Sequence, residues 1–111
     1  MAKLKESQCI PCNDKDLKPL TKIEAELLMT ELTGWELSRD SKSIDKSMVF
    51  KNFDKAMDFV NMVADVAEFE QHHPDIDIRY NKVELVLSTH SIGGLSRNDF
   101  IVAAKIDAIY L

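Results

Sequence analysis

The chain of 111 residues is 45% hydrophobic and 30% charged, a balance that supports one globular domain around a single core and leaves too little sequence for a second. A net charge of −5 excludes nucleic acid as a main partner, since phosphate binding needs a surplus of Lys and Arg gathered on one face. No apolar run is long enough to cross a bilayer, and the opening MAKLKESQ lacks the apolar stretch of a secretion signal; no membrane partner is expected, and the cytoplasm is the expected location.

Residues 1–20 are polar, include Pro11 and Pro19 and show no periodicity, so a flexible N-terminal arm is expected there, ahead of a single domain over residues 21–111. Its CIPC motif, with Cys9 and Cys12, has neither a second cysteine pair nor a preceding strand, and reads as two thiols in a mobile segment rather than a redox pair or half a zinc site. Order is expected from Thr21, where TKIE forms a capping box. The helix it opens places Ile23, Leu27, Leu28 and Leu32 on one stripe and ends at Gly34. Trp35 and Leu37 then mark a short strand, with Trp35 in the core. After the polar SRDSKS, a second strand, IDKSMVFKN, turns Ile44, Met48 and Phe50 to one face, and Lys46 interrupts that face as a residue near a sheet edge would.

From Phe53 the apolar period lengthens to about 3.6 residues. Phe53, Met57, Val60, Ala64 and Ala67 form a stripe that Ala56, Val63 and Val66 broaden. Pro74 stops this helix close to His73, because the residue before a proline disfavours helical geometry. Two alternating segments follow, IDIRY and VELVL, joined by Asn81 and Lys82 as a two-residue turn. Gly93 and Gly94 make a corner, and SRND caps a last helix from Ser96 with Phe100, Ile101, Ala103, Ala104 and Ala108 on its buried side. The order helix, strand, strand, helix, strand, strand, helix predicts an α+β fold, a two-layer domain with a four-stranded antiparallel sheet and three helices packed on one face.

All three histidines of the chain fall between positions 72 and 90, in EQHHPDI and STHSIGG. A turn at Asn81 and Lys82 pairs Tyr80 with Val83, Ile78 with Leu85 and Ile76 with Leu87, which puts every apolar residue on one face and Arg79 opposite Glu84. The same count sets Asp75 against Ser88 and His73 against His90. Glu68, four residues before His72, is expected to hydrogen-bond it across a helical turn. A three-histidine metal site fits poorly, because adjacent histidines leave a helix end about 100° apart. Two readings stay level on chemistry alone: polar caps and hairpin decoration, with Asp99 a helix-capping carboxylate, or general acid/base catalysis by imidazoles around a small polar substrate.

The run Glu68-Phe-Glu-Gln-His72-His73-Pro74, followed by Tyr80, His90 and Asp99 at these spacings, closely resembles the signature of the pterin-4a-carbinolamine dehydratases. Gly34-Trp35, FDKAMDFVNMVADVAE, YNKVELVLSTH, GGLS and Ala104-Lys-Ile-Asp107 extend the likeness over roughly residues 19–107. The resemblance implies the fold just described and the loss of water from a 4a-hydroxytetrahydropterin to give the quinonoid dihydropterin, recycling the cofactor of aromatic amino acid hydroxylases. It implies no metal and no other cofactor. His72 and His90 are then the acid/base candidates, with His73 holding the substrate. Glu68 orients an imidazole or contacts the pterin, Ser88 and Thr89 add polar contacts, and Asp99 belongs to the signature. Alternation sends Thr89 to the face opposite Ser88 and His90, and Gln71 replaces a smaller polar residue, which leaves its backbone as the contact. A homodimer or homotetramer is implied, with a functional link to a hydroxylase. The alternative is a non-catalytic dimerisation module, since the fold serves in animals as a cofactor of a homeodomain transcription factor.

Overall fold

A computed structural model describes residues 4–10 and 18–110 of the chain. The elements are α1 (Lys22–Met29), β1 (Glu36–Leu37), β2 (Ile44–Val49), α2 (Phe53–Glu70), β3 (Asp75–Arg79), β4 (Lys82–Leu87) and α3 (Arg97–Tyr110), with short 3-10 turns at Leu4–Glu6 and His90–Ile92. The four strands form one antiparallel sheet in the order β1-β2-β4-β3. Ile44, Met48, Val83, Leu85 and Leu87 turn from the sheet into a core shared with Phe59 and Val63 of α2 and Phe100, Ile101 and Ile106 of α3. The expected α+β architecture is the observed one.

Local chemistry sets the helix starts. Thr21 and Glu24 form both halves of the capping box, the Glu24 N–H donating to the Thr21 hydroxyl at 3.2 Å and the Thr21 N–H to the Glu24 carboxylate at 2.9 Å. Asn52 caps α2 by accepting from the Lys55 N–H at 2.9 Å. The apolar faces are rotated from those expected. In α1, which ends at Met29 rather than at Gly34, the core receives Ala25, Leu28 and Met29, with Leu32 following from the turn beyond it, while Ile23 and Leu27 face outward; small Ala25 lets the helix lie close, and a face centred on it excludes its neighbours. In α2, Ala56, Phe59, Val60, Val63 and Ala67 are buried, and Phe53 and Ala64 are exposed.

Two further expectations fail for identifiable reasons. The hairpin bends at Tyr80 and Asn81, one residue earlier than expected, so Ile78 faces Val83 and Ile76 faces Leu85. Asn81 is held from outside the hairpin: its side-chain amide donates to the Phe50 carbonyl at 2.9 Å and its carbonyl accepts from the Phe50 N–H at 2.8 Å. Tyr80 takes the left-handed φ of 55° that the bend requires. The resulting slip of two residues keeps each side chain on its face but sets Asp77, not Arg79, opposite Glu84. Lys46 marks no edge, because β2 lies between β1 and β4. Its ammonium turns inward to the Asp107 carboxylate at 2.9 Å and the Thr33 carbonyl at 2.8 Å.

Residues 4–10 lie against the domain. Leu4 is buried in the core, and Cys9 and Ile10 hydrogen-bond to Glu70 and Asn98. Cys12 lies outside the described residues. Among the described residues no helix is long and apolar enough to cross a membrane.

Candidate active site

His72 and His73 follow the end of α2, and His90 lies in the 3-10 turn that precedes α3. Helix α2 stops at Glu70, and Gln71 takes a left-handed conformation with φ 53°. That twist removes His72 from the helical repeat, so the expected contact between Glu68 and His72 does not form. His72 instead turns inward, 4% exposed, and its Nε2 lies 2.6 Å from Asp99 Oδ1. Glu68 is met by the next residue, with His73 Nε2 2.6 Å from Glu68 Oε1 and both side chains largely exposed. Gln71 closes the helix end by donating its side-chain amide to the Glu68 carbonyl at 2.7 Å.

Asp99 is the fully buried hub of this end of the molecule. Its Oδ2 accepts from the Thr89 hydroxyl at 2.8 Å and from the Ser96 N–H at 2.9 Å, while Oδ1 faces His72. The bond from Ser96 is the carboxylate half of a capping box at the start of α3. One carboxylate therefore both caps α3, as the sequence predicts, and contacts His72. With Asp99 ionised, a carboxylate only accepts, and His72 Nε2 is the donor in this contact. The Thr89 hydroxyl also lies 2.8 Å from Ser96 Oγ. Thr89 thus points into the domain, as alternation requires, and its side chain is committed to Asp99 and Ser96.

His90 is not paired with His73 across the hairpin, since the ladder ends at Asp75 and Val86 and the chain turns into a 3-10 segment at His90. It is exposed, directly after the anchored Thr89, whose N–H donates to the Gly94 carbonyl at 2.8 Å. Short contacts join His72 to Asp99 and Asp99 to Thr89, which lies between Ser88 and His90 in sequence, while the His73 ring pairs with Glu68. Ser88 is half-buried at the end of β4. The imidazoles line neither of two hollows found elsewhere, one of 470 Å³ beside Lys46, Asp107 and Tyr110 and one of 280 Å³ on the sheet beside Ser47, Arg79 and Glu84. Among the described residues no group of three His, Cys, Asp or Glu side chains is placed to hold a metal ion.

Ser96, Asn98 and Glu70 escaped sequence reasoning as parts of this region. Only the SRND cap pointed toward the first. Glu70 is buried beside Lys105, with Nζ 2.7 Å from its Oε2, and accepts the Cys9 N–H at 2.8 Å. Burial pushes its pKa up, but the Lys105 hydrogen bond and the Cys9 N–H outweigh it and hold the carboxyl below its ordinary value. A lowered folded pKa contributes stability that is complete above the unfolded pKa and is lost as pH falls through the folded value. Urea denaturation across pH should therefore show the widest gap between wild type and Glu70→Gln at neutral pH, closing toward acid. A constant gap would contradict this assignment.

Comparison with known proteins matches residues 18–109 to the family described as "Pterin 4 alpha carbinolamine dehydratase". The chain is 43% identical over 112 residues to "Pterin-4-alpha-carbinolamine dehydratase 2, mitochondrial" of Arabidopsis thaliana, covering 98% of this chain and 60% of that longer protein. A relative from Nitrosospira multiformis is 47% identical over 107 residues, covering 96% of this chain and 92% of its own. Among solved structures, a "transcriptional coactivator/pterin dehydratase" from Brucella melitensis superposes with a TM-score of 0.78 at 35% identity, covering 83% of this chain and 98% of that one.

Proposed function

The chain belongs to the pterin-4-alpha-carbinolamine dehydratase family of hydro-lyases, and from that premise we propose that it dehydrates 4a-hydroxytetrahydrobiopterin to the quinonoid dihydropterin by histidine acid/base catalysis, serving tetrahydrobiopterin recycling. Elimination needs one proton delivered to the departing 4a-hydroxyl and another taken from N5, so an acid and a base must face one flat ring. His72 and His90 transfer these protons, and imidazole is suited to both because it exchanges protons near neutral pH. His73, paired with Glu68, holds the substrate. Ser88 and the backbone at Gln71 and Thr89 complete the polar contacts, and Asp99 fixes the His72 ring. The observation that carries this reading is the buried contact of 2.6 Å between His72 and Asp99, whose other oxygen holds the residue before His90.

The enzyme is proposed to use no metal or other cofactor and to act on the carbinolamine that a hydroxylase forms. Edge strands β1 and β3 offer unpaired backbone for a homodimer or homotetramer. A second reading, a non-catalytic transcriptional cofactor, draws on the double designation of the Brucella structure. Steady-state dehydration of a freshly generated 4a-hydroxytetrahydropterin separates the two. Wild type should exceed the uncatalysed rate, and His72→Ala or His90→Ala should lower kcat by about 10²–10⁴-fold with the fold retained. Variants that turn over like wild type would reject the histidine mechanism, and an inactive wild type would favour the cofactor reading.

A further inference from the structure

The segment before residue 18 lies outside the family match, yet two of its residues clamp the helix ends that carry the site. The Cys9 N–H donates to Glu70 Oε1 at 2.8 Å. Ile10 makes a two-way contact with one side chain, its N–H donating to Asn98 Oδ1 at 3.0 Å and its carbonyl accepting from Asn98 Nδ2 at 2.7 Å. The Cys9 thiol reaches the Asn98 carbonyl at 3.6 Å. Glu70 is two residues before His72, and Asn98 is the neighbour of Asp99. Both partners are buried, Asn98 to 1% exposure, so these bonds are shielded from water on the side of the domain. At its other end the segment is anchored by Leu4 in the core.

We propose that Cys9 and Ile10 form a positioning strap that holds the end of α2 against the start of α3 at the spacing where Asp99 meets His72, and so sets the rate of the chemistry proposed above. This rests on that functional reading. Helices α2 and α3 are also joined here by the ion pair of Glu70 with Lys105, but that pair lies six residues along α3 from Asp99, whereas Asn98 is adjacent to it. A hydrogen bond of 2.6 Å between two rigidly placed groups leaves little tolerance, and displacement of a catalytic group by about 1 Å can cost about 10²-fold in rate. Cys9 and Ile10 act through their bonds to Glu70 and Asn98. Burial, followed by the nearby Glu70 charge, raises the Cys9 thiol to about 12, so the strap sulfur stays protonated and adds no charge beside Asp99.

Ile10→Pro tests the strap, because it deletes the N–H that reaches Asn98 while a 47% exposed side chain gives up little packing. Ile10→Ala keeps the N–H and serves as control. The expected result is a kcat about 5–10-fold lower in Ile10→Pro and in Asn98→Ala, with KM within about twofold, and a double variant no worse than Asn98→Ala, since Ile10→Pro deletes one of the two bonds that Asn98→Ala removes. The ¹⁵N ring signal of His72 should move in both variants and stay in place in Ile10→Ala. An unchanged kcat and an unchanged His72 signal in Ile10→Pro would overturn the strap, even if Tm falls. If wild type shows no dehydration, the functional reading fails, and the ring signal still decides whether the strap positions His72.

Discussion

Asp99→Asn is expected to lower kcat by about 10²-fold or more while KM changes by only about a fewfold. The substitution preserves the shape of a fully buried side chain and changes only its hydrogen-bonding character. Asp99 accepts from three donors, His72 Nε2, the Thr89 hydroxyl and the Ser96 N–H. Asparagine offers one accepting oxygen and one donating NH₂. If the oxygen keeps Thr89 and Ser96, the NH₂ meets Nε2, and His72 must adopt the opposite tautomer or rotate away. The proton then sits on the wrong nitrogen, the defect that cripples a carboxylate-oriented histidine elsewhere. If the amide flips, the cap of α3 is broken instead, which costs about 1–3 kcal/mol as a buried donor loses its partner. Steady-state kinetics beside urea denaturation distinguish these outcomes. A variant that is less stable but retains wild-type kcat would show that Asp99 only caps the helix.

Asp107→Ala should be the most destabilising single change at the other end of α3, by about 3–5 kcal/mol, because it strands a buried ammonium. Lys46 is 7% exposed, and its Nζ lies 4.9 Å from the centre of the Tyr110 ring. Asp107 also accepts from the Thr33 N–H at 2.9 Å and from the Trp35 indole at 2.8 Å. Removing it therefore deprives three donors at once. Gly34 belongs to the same arrangement: it adopts φ 78°, and a Cβ there would stand 3.3 Å from the Lys46 side chain. Lys46→Met should cost less, since Asp107 keeps two N–H donors and the cavity stays filled. Denaturation midpoints with unchanged m-values would check the ranking. Equal losses in both variants would contradict it. Dehydration should be nearly untouched in Lys46→Met, because the pair lies far along α3 from Asp99.

What was legible in the sequence was what is decided within a few residues. The Thr21 to Glu24 cap, the stop before Pro74 and the existence of a hairpin all depend on near neighbours, and each is present. The hairpin register was not, because a contact between Asn81 and Phe50, distant in sequence, moves the bend. The pairing of the histidines failed for a related reason. Spacing by four residues predicts contact only while the chain stays helical, and the left-handed turn at Gln71 hands Glu68 to His73 and sends His72 to Asp99. Asp99 was legible twice, as a cap and as part of a signature, but only folding shows that one carboxylate performs both tasks. The strap was hidden because CIPC sits in a polar stretch without periodicity, and its bonds use backbone groups that no side-chain pattern reports.

The proposal that the three imidazoles serve one pterin site is tested directly by titrating a non-reactive pterin into protein with ¹⁵N-labelled histidine rings. The ring signals of His72, His73 and His90 should all shift along a single saturation curve. Signals that stay fixed at saturation, or that respond over separate concentration ranges, would show that the three rings do not serve one site.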